Sequence, residues 1–131
     1  MTYRGAQVAE ALADVLKTSL AETFDPVAVF AIPPRTFNPP CVIVRMPDLV
    51  EPGVAAMGVD RVSLGVLCVV GMDAVAQLFE LLTVVRNAVR SDRSLRGTAQ
   101  AADPQTYRNF GSMTVGGADY LVAEVFLIIN A

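Results

Sequence analysis

One stretch constrains the fold of this chain more than any other, Asp60–Val70 (DRVSLGVLCVV). Val62, Leu64, Val66, Cys68 and Val70 alternate along it, so an extended backbone puts all of them on one face. The other face is polar at Arg61 and Ser63 but apolar at Leu67 and Val69. A strand half solvated at one end and covered on both sides at the other belongs in the interior of a sheet. The same stretch answers the membrane question. Val62–Met72, bounded by Arg61 and Asp73, is the longest uncharged run that matters, and its eleven residues fall short of the roughly 20 that a spanning helix needs. Glu10 and Asp14 interrupt any apolar signal region, so a cytosolic type of chain with no membrane partner is expected.

Around this strand the punctuation lays out the other elements. Val8, Leu12, Val15, Leu16 and Leu20 form the buried stripe of a first helix, which Asp25-Pro26 ends. Val27–Ile32 reads as a short strand, and a stiff loop from Pro33-Pro34 to Asn38-Pro39-Pro40 leads to a second strand, Cys41–Met46. Asp48–Gly58 reads as a loop, unusually apolar at Leu49, Val50, Val54 and Met57, residues that either fold back on the core or meet a neighbour. Gly71-Met72-Asp73 opens a second helix, with Asp73 as N-cap or first-turn acid and a stripe of Leu78, Leu81, Leu82, Val85 and Val89. After a long connection, Arg93 to Pro104, come a strand at Gln105–Val115, a tight turn at Gly116-Gly117 and a last strand at Ala118–Asn130. Over Leu121–Ile129 that last strand has a single charge, Glu124, and is the most apolar element of all. The expected fold is α+β: a mostly antiparallel sheet of about five strands packed with two helices in the order α-β-β-β-α-β-β. It forms a single domain over residues 1–131.

Composition narrows the chemistry. The chain has no histidine, which removes the imidazole base, the Ser-His-Asp triad and the usual zinc and haem ligation. Cys41 and Cys68 form no C-x-x-C pair; buried free thiols are the plain reading, and a disulfide between adjacent strands is the other. Ser63, Ser112 and Thr114 have no base nearby in sequence. The expectation is therefore a non-enzyme with no catalytic residues, cofactor or metal. At 53% apolar and 18% charged residues, the chain is greasier than an average soluble domain. At 131 residues one globule leaves much of that surface uncovered, and partner subunits are the expected cover.

Charge is unevenly spread. Arg86, Arg90, Arg93, Arg96 and Arg108 against Asp92 and Asp103 give residues 86–108 a local +3, so a chain of net −3 carries −6 elsewhere. Two readings stand: a basic contact surface for an acidic partner, or a helix-dipole complement running into a solvated loop. No aromatic residue interleaves with Arg86–Arg96, and a pI near 4.8 argues against gripping nucleic acid. Asp48, Glu51 and Asp60 bracket the middle loop without calcium-loop spacing, and ordinary solvation is the favoured account. Gly71–Asp73 before a helix is only a faint phosphate signal.

The second half also has the look of a known family. A valine-rich strand leads into AVAQLFELLTVVRNAVRSD, then Leu95-Arg96-Gly97, a variable stretch with Tyr107, and a terminal hairpin ending in AEVFLIIN. With the N-terminal helix and the proline-broken strand pair, this pattern resembles the tail terminator (tail completion) proteins of long-tailed bacteriophages over essentially the whole chain. The resemblance is one of pattern and length, without an invariant motif. It implies a homo-oligomer, a hexameric ring that caps the tail tube, stops its polymerisation and offers a head-joining surface. The partners it implies are the major tail (tube) protein and a head-tail connector or neck protein, with DNA passing through the centre without specific binding. The location implied is the head-proximal end of the virion tail, reached from the host cytoplasm during assembly. On this reading Arg86, Arg90, Arg93, Arg96, Leu49, Val54 and Met57 face a neighbouring subunit or the tube, and Asp48, Glu51 and Asp60 face the lumen. Both placements are assigned by charge and apolarity. A phage neck or head-closure connector is the near alternative, and a small α+β ligand-binding or enzymatic domain is the alternative of another class.

Overall fold

The structure is a computed structural model that describes residues 5–23, 28–31, 39–53, 60–97, 99 and 101–130. Its elements are α1 (Gly5–Thr23), β1 (Ala28–Phe30), β2 (Cys41–Val44), β3 (Leu49–Glu51), β4 (Arg61–Gly71), α2 (Val75–Ser91), β5 (Ala101–Val115) and β6 (Ala118–Asn130). The strands form one sheet in the order β1-β2-β4-β6-β5, with β3 also paired to β4. Among the described strands β1 and β2 run parallel, and the other pairs are antiparallel. This is the expected α+β architecture with one strand more.

The alternation in β4 sets the layers. Val62, Leu64, Val66, Cys68 and Val70 are buried in one core with Ala123, Val125, Leu127 and Ile129 of β6 and the apolar stripes of both helices. α1 buries its expected stripe with Ala11 and Ala13 added, and α2 adds Ala88 to its own. Both helices therefore cover the same face of the sheet. β4 lies between β2 and β6, the interior position that its two-sided burial predicts.

The opposite face is also apolar. Cys41, Ile43, Val69 and Val122 are buried there, with Phe30, Leu67, Met113 and Tyr120 packed against them. No described helix covers this face. Val42 pairs with Cys68 and Cys41 with Val69, so the two cysteines point to opposite sides and remain free thiols. Burial pushes the Cys41 thiol up to about 11 and raises that of Cys68 further.

Four sequence expectations change. Within the expected loop Asp48–Gly58, Leu49–Glu51 pair with Ser63, Val62 and Arg61 as β3. The reason lies in β2: it stops at Val44 opposite Val66, leaving the first part of β4 unpaired on that side. Asp73 neither caps α2 nor enters its first turn; Ala74 holds the N-cap position and makes no side-chain capping bond. β5 begins at Ala101 and runs through Pro104. Proline is tolerated there because β5 is an edge strand and its register slips at that point. The expected strand Cys41–Met46 ends two residues early, at Val44. Asp25-Pro26, Val27, the loop residues Ile32–Asn38, and Val54 and Met57 lie outside the described residues.

Candidate functional site

Three features of the surface carry chemistry, and the first is ionic. β6 alternates so that Glu124 faces away from the helices, yet its side chain is 0% exposed. Two arginines and an amide bury it by lying over it. Arg45, just past β2, donates from Nη1 at 2.8 Å, Arg108 from Nε at 2.5 Å and Asn109 from Nδ2 at 2.7 Å. Gly65 on β4 leaves the space the carboxylate occupies, and a Cβ there would collide with it. Arg108 also pairs with Asp48 and lies 3.9 Å from the centroid of the Phe126 ring. Burial opposes the charge on Arg108, but its bonds to Glu124 and Asp48 overcome that cost and hold its pKa above the ordinary value.

The second feature is a pair of exposed apolar patches on different elements. Met46 is 76% exposed and Leu49, at the start of β3, 53%. Across β4 and β6, on the far side of the sheet, Phe110 of β5 stacks on Phe79 of α2 with centroids 5.6 Å apart. Both rings stay about half exposed, as do Met72 and Val75. A cavity of about 430 Å³ lies between Val75, Leu78, Phe79, Phe110 and Leu121.

The third is a smaller cavity of about 180 Å³ between α2 and β5, lined by Arg86, Pro104, Gln105, Thr106, Tyr107 and Val125. Arg86 and Tyr107 line it, and each has a buried polar atom, Nε and Oη, without a hydrogen-bond partner among the described residues.

The arginines singled out from the sequence separate into different environments. Arg93 pairs with Asp103 at 2.6 Å. Arg96 donates from Nη2 to Thr18 Oγ1 at 3.0 Å, and its backbone N–H to Asp92 Oδ2 at 3.1 Å. Arg90 is exposed in the last turn of α2, where it suits the helix dipole. The middle acids are all engaged within the chain. Asp48 meets Arg108, and Glu51 takes a two-pronged bond from Arg61, both prongs 3.1 Å. That hydrogen bond holds the Glu51 carboxyl below its usual range. Asp60 is 2% exposed and accepts the Gly53 N–H at 3.1 Å, so its carboxylate turns inward. Of the apolar interface residues, Leu49 is the one that is described, and it is exposed; Val50, another apolar residue of the expected loop, packs on the core.

No protein-family model matches the chain, and no curated protein is significantly similar to it.

Sequence reasoning passed over Arg45, Phe79 and Phe110. Phe79 left a signal, because Val75 and Phe79 are spaced i, i+4 along the flank of the buried stripe of α2. Glu124 left one as well, as the lone charge in the most apolar strand. Arg45 left none, since nothing local shows that it faces a residue 79 positions away.

Proposed function

We propose that this chain is a ring-forming structural protein of the phage tail terminator type, which caps the tail tube, stops its growth and offers a surface for the head connector. The observation that carries this reading is the pair of unlike apolar patches at opposite sides of one sheet: Met46 and Leu49 on one side, Val75, Phe79 and Phe110 on the other. Identical patches would favour a two-fold dimer. Unlike patches favour a head-to-tail contact, which repeats from copy to copy and either closes into a ring or continues as a filament. Exposed aromatic and methionine side chains at such positions are the residue types that interfaces bury. The pattern of strands and helices resembling tail terminators supplies the rest: the tube as docking partner and the connector on the opposite face.

Sedimentation velocity of the purified protein, alone and with the major tail protein, tests the proposal. The expected outcome is a discrete closed oligomer, formed spontaneously or on contact with tube protein. A monomer that stays monomeric at high concentration and ignores the tube overturns it. An oligomer that binds the head connector and not the tube replaces it with the neck-protein reading.

A further inference from the structure

The cavity beside Arg86 has a cause in the strand next to it. Ala102 and Pro104 of β5 lie opposite Ile129 and Leu127 of β6, both on the helix-covered face. Simple alternation would bring Thr106 to that face next. Instead the register slips between Pro104 and Thr106, and Tyr107 takes the place opposite Val125. An irregularity of this kind at a sheet edge re-aims side chains. Here it turns Tyr107 toward α2, where the Arg86 guanidinium carbon lies 5.8 Å from the centroid of its ring.

Arg45, Arg61, Arg93 and Arg108 each reach a carboxylate within the chain. Arg86 reaches none among the described residues, and its Nε is buried. The phenol oxygen of Tyr107 is buried and unpartnered in the same way. A guanidinium N–H only donates, and the phenol hydroxyl donates while keeping acceptor capacity. A group that satisfies both accepts two hydrogen bonds, and beside a guanidinium a negatively charged acceptor makes the stronger ones. One guanidinium balances one negative charge, which fits a carboxylate better than a phosphate dianion, and a carboxylate matches the planar fork of arginine. At about 180 Å³ the cavity admits a group of that size. Pro104, Val125 and the Tyr107 ring form apolar walls that strengthen the contact by keeping water away.

We propose that this cavity is a carboxylate-binding site, in which Arg86 Nε–H and Tyr107 O–H both donate to one bound carboxylate. The carboxylate has two possible sources, a small free acid or an aspartate or glutamate side chain of a second copy, and the site does not depend on the ring reading.

The test follows the Arg Nε–Hε resonances of the ¹⁵N-labelled protein while sodium acetate is added, against sodium chloride at matched ionic strength. The Arg86 signal is expected to shift saturably with acetate alone. Tyr107→Phe is expected to weaken the acetate response about 3- to 10-fold, the range of one hydrogen bond. An Arg86 signal that ignores acetate or responds equally to chloride overturns the proposal. A folded Tyr107→Phe with undiminished acetate affinity also overturns it. The wild-type titration decides even if that variant does not fold. Dilution without acetate separates the sources. A concentration-dependent Arg86 shift that acetate reverses assigns the carboxylate to a second copy, and an acetate response in a signal unmoved by dilution assigns it to a small acid.

Discussion

A carboxylate at full burial is costly unless its charge is matched and its lone pairs are filled. Glu124 meets that condition through Arg45, Arg108 and Asn109, and Gly65 makes room for it. Glu124→Gln keeps the shape but leaves two cations facing a neutral amide on an apolar sheet face. Urea denaturation is expected to show a loss of about 2–4 kcal/mol; this is below the usual figure for breaking a buried pair because both arginines keep a third or more of their surface in solvent. The Glu51–Arg61 pair behaves differently, being open to solvent. The Glu51 pKa is lowered in the folded chain, so its contribution is present above the ordinary glutamate range and disappears as pH falls through the folded value. Melting temperatures measured from pH 7 to pH 3 are expected to separate wild type from Glu51→Gln at neutral pH and to converge at the acid end.

At the scale of elements, several local rules hold and one is left unused. Gly116 and Gly117 both have positive φ, 60° and 81°, as a two-residue hairpin turn with the twist of its strands requires. The N-terminus of α2 forgoes a side-chain cap although Asp73 is one residue away. Ala74→Ser supplies a hydroxyl at the cap position itself, and thermal denaturation is expected to show a gain of about 0.5–1 kcal/mol. β3 shows the limit of local reading. Leu49–Glu51 is too short to announce a strand, and it forms one because β4 outruns β2. β5 shows another limit, since the slips at Pro104/Thr106 and Arg108/Gly111 change which side chains face α2 without any marker as strong as a glycine turn.

For the whole molecule, the decisive asymmetry is that both helices lie on one face of the sheet and the apolar patches lie at its two sides. Leu49→Asp and Phe79→Asp change opposite ends of the proposed head-to-tail contact. Each alone is expected to abolish the proposed oligomer, as read by sedimentation, while leaving the circular dichroism and melting of the monomer close to wild type, because both side chains are about half exposed already. A mixture of the two variants retains one intact pairing of patches per contact and is expected to yield dimers but no ring. Rings from either single variant would place the subunit contact elsewhere.

The sequence by itself determined the class of fold, the stripes of both helices and the interior place of β4. Each follows from side-chain periodicity within one element, a property that the local backbone imposes. The tertiary structure alone decided that Glu124 is held by Arg45 and Arg108, that Asp60 turns inward, that Phe79 meets Phe110, and that Arg86 and Tyr107 share a cavity. Those meetings join residues as far as 79 positions apart. Strand order and register choose such partners, and periodicity within a strand fixes a side chain's face without fixing what stands opposite it.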